Sequence, residues 1–203
     1  MNNIYPIFDI SLNRQAKENL LKQNSMVLWL IGLSGSGKST LARHLENTLH
    51  TMGYLTQLLD GDNLRTGINN NLGFSEEDRD ENLRRTAEVS KLFLNAGIIT
   101  ICSFITPTRK SRELIKSIIG SKDYFEVYVN CPVEVCEKRD VKGLYAKARK
   151  GEIKNFTGID APFEPPQNPD LELNTDEASI ESCHDVLVDF VLPKIKFEEV
   201  NKK

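Results

Sequence analysis

Lys38 and Ser39 are the first residues in this chain whose type and spacing suggest chemistry. They close the run Gly32-Leu33-Ser34-Gly35-Ser36-Gly37-Lys38-Ser39-Thr40, which fits the phosphate-binding pattern G-x-x-x-x-G-K-[ST] at every fixed position. Glycines let successive backbone N–H groups converge on phosphate oxygens, and a following helix N-terminus adds a favourable dipole. In such a loop Lys38 reaches the β- and γ-phosphates, and the Ser39 hydroxyl is a ligand for Mg²⁺. A second constellation is Asp60-Gly61-Asp62-Asn63-Leu64-Arg65, in which two carboxylates, an amide and a guanidinium follow an apolar run. It suits proton removal and anion binding, and it equally suits an Asp-Gly turn capping the next helix. Arg79 and Asn82, three residues apart, share a helix face further on.

The elements needed to position these groups are legible. Met26 to Ile31 is unbroken apolar sequence, as expected of a strand buried on both faces. Leu41, Leu45 and Leu49 give the helix after the loop one apolar face, and Met52-Gly53 stops it. Tyr54 to Leu59 reads as a second strand ending at Asp60. Strand C-termini are where parallel sheets place ligands. Ser75 and Asp78 resemble a capping box for a helix reaching about Ala96, stopped by Gly97, with Leu83, Ala87, Ser90 and Leu94 buried. Ile98 to Ile105 is a third strand, and Thr106-Pro107-Thr108-Arg109 opens a helix through Ile119. Phe125 to Val129 and Leu171 to Leu173 are further strands, Val133 to Arg139 is a short helix, and Pro193 is expected to end the last one. About five strands alternating with helices predict an α/β, three-layer P-loop fold, with a central parallel sheet and helices on both faces.

Arg139 to Lys154 carries Arg139, Lys142, Lys147, Arg149, Lys150 and Lys154 against Asp140 and Glu152. Such a basic segment reads as a lid over phosphates, about residues 139–158, or as a solvated helix. The expected organisation is an arm over 1–24, a P-loop domain over 25–195 and a polar tail over 196–203. Leu12, Ala16, Leu20 and Leu21 at helical spacing make the arm an amphipathic segment docked on the domain or on a second subunit, or else a disordered leader. The net charge of −3 over 203 residues gives no support to nucleic-acid binding. No apolar run is long enough to span a membrane. Cys102, Cys131, Cys136 and Cys183 show no metal or redox spacing, and Cys102 and Cys131 sit in apolar contexts; a cytoplasmic enzyme is the expectation. No N-K-x-D guanine signature is present, and size, lid and acidic strand end favour a small-molecule kinase.

The chain closely resembles the adenylyl-sulfate kinases, which phosphorylate the 3′-hydroxyl of adenosine 5′-phosphosulfate (APS) with MgATP to give 3′-phosphoadenosine 5′-phosphosulfate (PAPS) and ADP. The resemblance covers roughly residues 4–192. It rests on Gly32 to Thr40, Leu59 to Arg65, Leu72-Gly-Phe-Ser75, Asp78-Arg79, Glu81-Asn82, Arg84-Arg85, Arg139 to Tyr145 and Phe156-Thr-Gly-Ile159. It implies ATP phosphates on Gly32 to Thr40 and APS on Asp62, Asn63, Leu64, Arg65, Arg79 and Asn82. Phe74 and Phe156 match aromatics that sandwich the APS adenine, Ile105 and Thr106 a backbone contact to it, and Lys142 a lid residue reaching it. It also implies a homodimer and a functional link to an ATP sulfurylase.

Asp62 is placed to take the proton of the attacking hydroxyl, with Asp60 able to share metal or hydroxyl duty. Two positions depart from the family pattern. Thr106 stands where serine is usual, a position associated with a phosphorylated intermediate. Asn155, on the implied APS side, replaces a glycine, and asparagine tolerates left-handed backbone better than most residues, so the loop is expected to survive. Pro107 is expected to hold Thr106 extended, and no activating base adjoins it, so direct transfer from ATP to APS is expected.

Overall fold

The computed structural model describes residues 3–7 and 10–198. Its elements are α1 (Arg14–Leu21), β1 (Val27–Ile31), α2 (Lys38–Thr51), β2 (Thr56–Asp60), α3 (Gly61–Arg65), α4 (Glu76–Asn95), β3 (Ile99–Ser103) and α5 (Arg109–Ile119). There follow β4 (Tyr124–Asn130), α6 (Val133–Arg139), α7 (Leu144–Arg149), β5 (Leu171–Asn174) and α8 (Ile180–Ile195). The five strands form one sheet in the order β2-β3-β1-β4-β5, with every pairing parallel.

The apolar run of β1 is explained by burial on both faces. Leu28 and Leu30 join Leu41, Leu45 and Leu49 of α2 and Leu187 and Val191 of α8 in one layer. Val27, Trp29 and Ile31 pack on the other side with Leu83, Ala87 and Leu94 of α4 and Ile115 and Ile119 of α5. A third cluster, Leu33, Cys131, Cys136, Tyr145, Ala148 and Phe156, ties α6 and α7 to the loop after β1. All four cysteines are free and buried.

Three expectations need correction. The arm does contain a helix docked on the domain, but its buried residue is Glu18, whereas Leu12 and Leu20 are exposed. Polar contacts seat it: Glu18 accepts from the Ser25 N–H and hydroxyl at 2.8 and 2.6 Å, and Arg14 pairs with Glu18 and Asp123, both at 2.8 Å. These bonds recover what burial of the charges costs, so the apolar spacing misleads about which face is inside. Asp78 receives the Gly73 N–H at 2.9 Å instead of closing a capping box, although Ser75 does cap α4. Pro193 lies inside α8, which continues to a fully buried Ile195. With so little helix left after Pro193, burial of Ile195 outweighs one missing N–H. The tail expected from 196 lies, from 199 on, outside the described residues, as do 1, 2, 8 and 9 of the arm.

Candidate active site

Gly32 leaves β1 with φ +147°, and a Cβ there would overlap the Val129 carbonyl oxygen. Gly35 at φ +78° would meet the Cys136 carbonyl at 3.0 Å. Only glycine serves at both positions. Four successive carbonyls of the loop are engaged by side chains. Leu33 O accepts from Lys38 Nζ at 2.6 Å, Ser34 O from the Tyr145 hydroxyl at 2.9 Å, Gly35 O from Arg139 at 3.3 Å and Ser36 O from the Thr175 hydroxyl at 2.8 Å. With the carbonyls engaged, the unpaired N–H groups at the start of α2 are left for an anion. Lys38 is only 7% exposed, and burial pushes its ammonium down to about 8, opposed in part by the negative charge of Asp60 and Asp62.

Thr40 follows in the first turn of α2, and Ser39 reaches across to the end of β2. Its hydroxyl donates to Asp60 Oδ2 at 2.7 Å and lies 3.1 Å from the Ser103 hydroxyl. Asp60 also caps α3, accepting the Asp62 N–H at 3.0 Å. The turn-capping and site readings of this stretch therefore both hold. Ser39 and Asp60 supply adjacent hard oxygens of the kind Mg²⁺ takes alongside nucleotide phosphates and water. Among the described residues no cluster of three or more His, Cys, Asp or Glu could hold a metal unaided. Asp62 is exposed and pairs with Lys142 from the segment before α7. Asn63 uses its carbonyl to receive the Thr66 hydroxyl, and Leu64 packs partly into the core beside Leu59. Arg65 donates to the Leu72 and Gly73 carbonyls, and its guanidinium sits 4.4 Å above the Phe74 ring. Burial and the neighbouring Arg79 lower its basicity.

A cavity of about 900 Å³ opens beside these groups, lined among others by Phe74, Arg79, Arg109, Asn155 and Glu164. Arg79 donates to the Asn155 carbonyl at 2.6 Å and to Thr157 at 3.2 Å, joining α4 to the far end of the basic segment. Asn155 has φ +57°, the left-handed geometry that asparagine tolerates. Phe74, two-thirds exposed, faces this cavity, whereas Phe156 is 8% exposed and turned edge-on to Tyr145 at 4.9 Å. Phe156 is not among the residues lining the cavity. Asn82 is buried, accepts from Asn69 at 2.9 Å and does not line the cavity. Ile105 receives the Gly32 N–H on its carbonyl at 3.3 Å.

Thr106 overturns the expectation of extended backbone: its φ is +46°. Proline disfavours the right-handed helical region for the residue before it, and the fold takes the left-handed alternative at a cost in strain. Sequence reasoning gave no individual role to Arg139, Tyr145 or Thr175. Thr175 follows directly on β5, and the strand C-terminus was the available signal.

A parallel sheet in the order 2-3-1-4-5, with a lysine-bearing phosphate loop at its centre and an acidic strand end beside it, defines a P-loop kinase of small molecules. The comparisons place it more closely. Residues 24–174 match the family model described as adenylylsulphate kinase, and the chain belongs to that family. An adenylyl-sulfate kinase of Bacteroides thetaiotaomicron is 62% identical over 96% of this chain and 97% of its own length. One from Clostridium kluyveri is 54% identical over 91% and 92%. The structure of the Mycobacterium tuberculosis APS kinase CysC in complex with AMPPNP and APS superposes with a TM-score of 0.80 at 45% identity, covering 83% of this chain and 98% of that one.

Proposed function

We propose that this protein transfers the γ-phosphoryl group of MgATP to the 3′-hydroxyl of APS, giving PAPS and ADP. The observation that carries the reading is the phosphate loop sharing a wall with an arginine-lined cavity: Phe156 packs on Leu33, while Asn155 and Thr157 line the cavity. Gly32 to Thr40 hold the ATP phosphates, with Lys38 following the transferred group. Asp62 removes the proton as the 3′-oxygen bonds to the γ-phosphorus and the bond to ADP breaks. Lys142, paired with Asp62, loses that partner as the carboxylate is neutralised and can then meet phosphate charge. Ser39, with Asp60 behind it, would hold Mg²⁺, which neutralises phosphate charge when bound. Arg65 and Arg79 suit the phosphosulfate anion, and Phe74 offers a face to the adenine, with Phe156 its partner on the lid side. Asn63, Leu64, Asn82, Ile105, Thr106 and Asn155 shape the acceptor side.

APS must be supplied by adenylyl transfer from ATP to sulfate, which links the protein to an ATP sulfurylase. A homodimer and a cytoplasmic setting complete the reading. Among the described residues no helix is long and apolar enough to cross a membrane. The test is ADP release from MgATP with APS, a nucleoside monophosphate or a sugar acid as acceptor, with the product identified by mass. APS-dependent release with one phosphate added is the expected result. Turnover of another acceptor in preference to APS refutes the proposal.

A further inference from the structure

The chain contains a single tryptophan, and it lies at the centre of β1, fully buried. Its ring is stacked on Phe104 at 5.2 Å and tilted against Tyr124 at 6.3 Å. Packing alone would be served by phenylalanine. What the indole adds is one N–H, and it donates to the Thr106 hydroxyl oxygen at 2.9 Å in a buried setting. Thr106 is 1% exposed and is the β-branched residue at φ +46°, where such side chains rarely sit. Backbone strain of this kind persists only where the surroundings over-determine it.

The surroundings do so here. The Ile105 carbonyl receives the N–H of Gly32, the first residue of the phosphate loop. The Thr106 carbonyl receives Arg112 at 3.2 Å, and the Arg112 guanidinium lies 3.9 Å from Glu126. The Pro107 carbonyl receives the N–H of Glu164, whose carboxylate takes the Arg109 N–H at 2.6 Å. Pro107, Arg109 and Glu164 line the cavity. Thr106 is thus the knuckle between the loop that would hold the donor and the wall that would hold the acceptor.

We propose that Trp29 is a positioning residue for phosphoryl transfer: its indole N–H holds the Thr106 hydroxyl, and through it the left-handed turn that aligns the phosphate loop with the acceptor cavity. The hydroxyl of Thr106 is an acceptor in this arrangement, not a phosphate carrier. This rests on the APS-kinase reading. Misalignment of reacting groups by about 1 Å costs on the order of a hundredfold in rate, with little effect on binding.

The experiment compares Trp29→Phe, Thr106→Val and Thr106→Ser with the wild type, together with the double variant Trp29→Phe/Thr106→Val. Valine keeps the shape and backbone preference of threonine and removes only the oxygen, so Thr106→Val keeps the test open if Trp29→Phe folds poorly. The expected result is a kcat lowered about tenfold to a hundredfold in Trp29→Phe and in Thr106→Val, with both KM values within about threefold. The double variant should be no worse than either single one, because both remove the same bond. Thr106→Ser, which keeps the oxygen, should recover most of the loss.

A second readout is independent of turnover. The lone indole N–H gives one resonance in ¹⁵N-tryptophan-labelled protein. It should shift, and exchange faster with solvent, in Thr106→Val but not in Thr106→Ser. An unmoved resonance in Thr106→Val, multiplicative losses in the double variant, or phosphate carried on Thr106 during turnover would each overturn the proposal. A wild-type enzyme that turns over no APS overturns the functional reading instead, and does so before any variant is compared.

Discussion

Phe74 and Phe156 are expected to respond to truncation in different currencies, because the fold treats the two rings differently. Phe74 is 66% exposed and touches the Arg65 guanidinium at 4.4 Å, a contact worth about 0.5–1 kcal/mol at such a site. Phe74→Ala should therefore lower the melting temperature by no more than about 2–4 °C in a chain of this size. Phe156 is 8% exposed and packed among Leu33, Cys131, Cys136, Tyr145 and Ala148. Removing a ring from such a cluster costs about 3–5 kcal/mol. The cluster is small and close to the surface, so the lower end applies, and a fall of roughly 6–12 °C follows. Loss of a stacking platform costs about 1–3 kcal/mol of affinity, so both variants should bind APS about one to two decades more weakly. Thermal unfolding and titration calorimetry with APS, with ATP as the control ligand, separate the two effects. A melting temperature for Phe156→Ala within about 2 °C of wild type would refute the packing argument. Unchanged APS affinity in Phe74→Ala, or a loss falling on ATP instead, would refute the assignment of the cavity.

Asp62→Asn keeps shape and removes basicity, so turnover should fall about a hundredfold to ten-thousandfold while ATP still binds. A loss below about threefold in steady-state assays would move the role to Asp60 or the metal. Burial lowers the Lys38 ammonium to about 8, and an ATP phosphate placed against it would raise it again. ATP affinity should be level below pH 8 and weaken by about tenfold per unit above it, with proton uptake in calorimetry near pH 8.5. Constant affinity to pH 9.5 would contradict the burial argument. Gly32→Ala should abolish ATP binding and lower the melting temperature sharply, because its Cβ overlaps the Val129 carbonyl. Gly53→Ala, at φ +89° with nothing within 4 Å of the added carbon, should cost only about 1 kcal/mol. Similar melting curves for the two would show that backbone strain and not the overlap matters.

The sheet and the phosphate loop were readable because their signals are local and agree with one another. The run at β1, the glycines and the leucines of α2 all describe one strand-loop-helix unit. The cap at Ser75, the stop at Gly97 and the helix Val133–Arg139 fell where residue chemistry put them. Where local rules failed, tertiary burial had won. Glu18 is inside because Ser25 and Arg14 meet it there, a fact with no signature in periodicity. Pro193 continues a helix because Ile195 has a buried place to fill. Thr106 is left-handed where its hydroxyl meets a tryptophan 77 residues earlier. Of the acceptor-side residues, the family pattern supplied the positions, and packing decided that Phe156 and Asn82 are turned inward while Phe74 and Arg79 face the cavity.

The outward-held carbonyls of the phosphate loop bear on how fast nucleotide can leave. Lys38 belongs to the loop itself and Thr175 follows the last strand, but Arg139 and Tyr145 both belong to the basic segment. Half of the restraints that keep the amides facing an anion are thus borrowed from a part of the chain that also grips Asp62. A movement of that part away from the loop would slacken the cradle from behind as it uncovered the front. Release of spent nucleotide would then be coupled to how often a tyrosine hydroxyl and a guanidinium let go of two peptide oxygens.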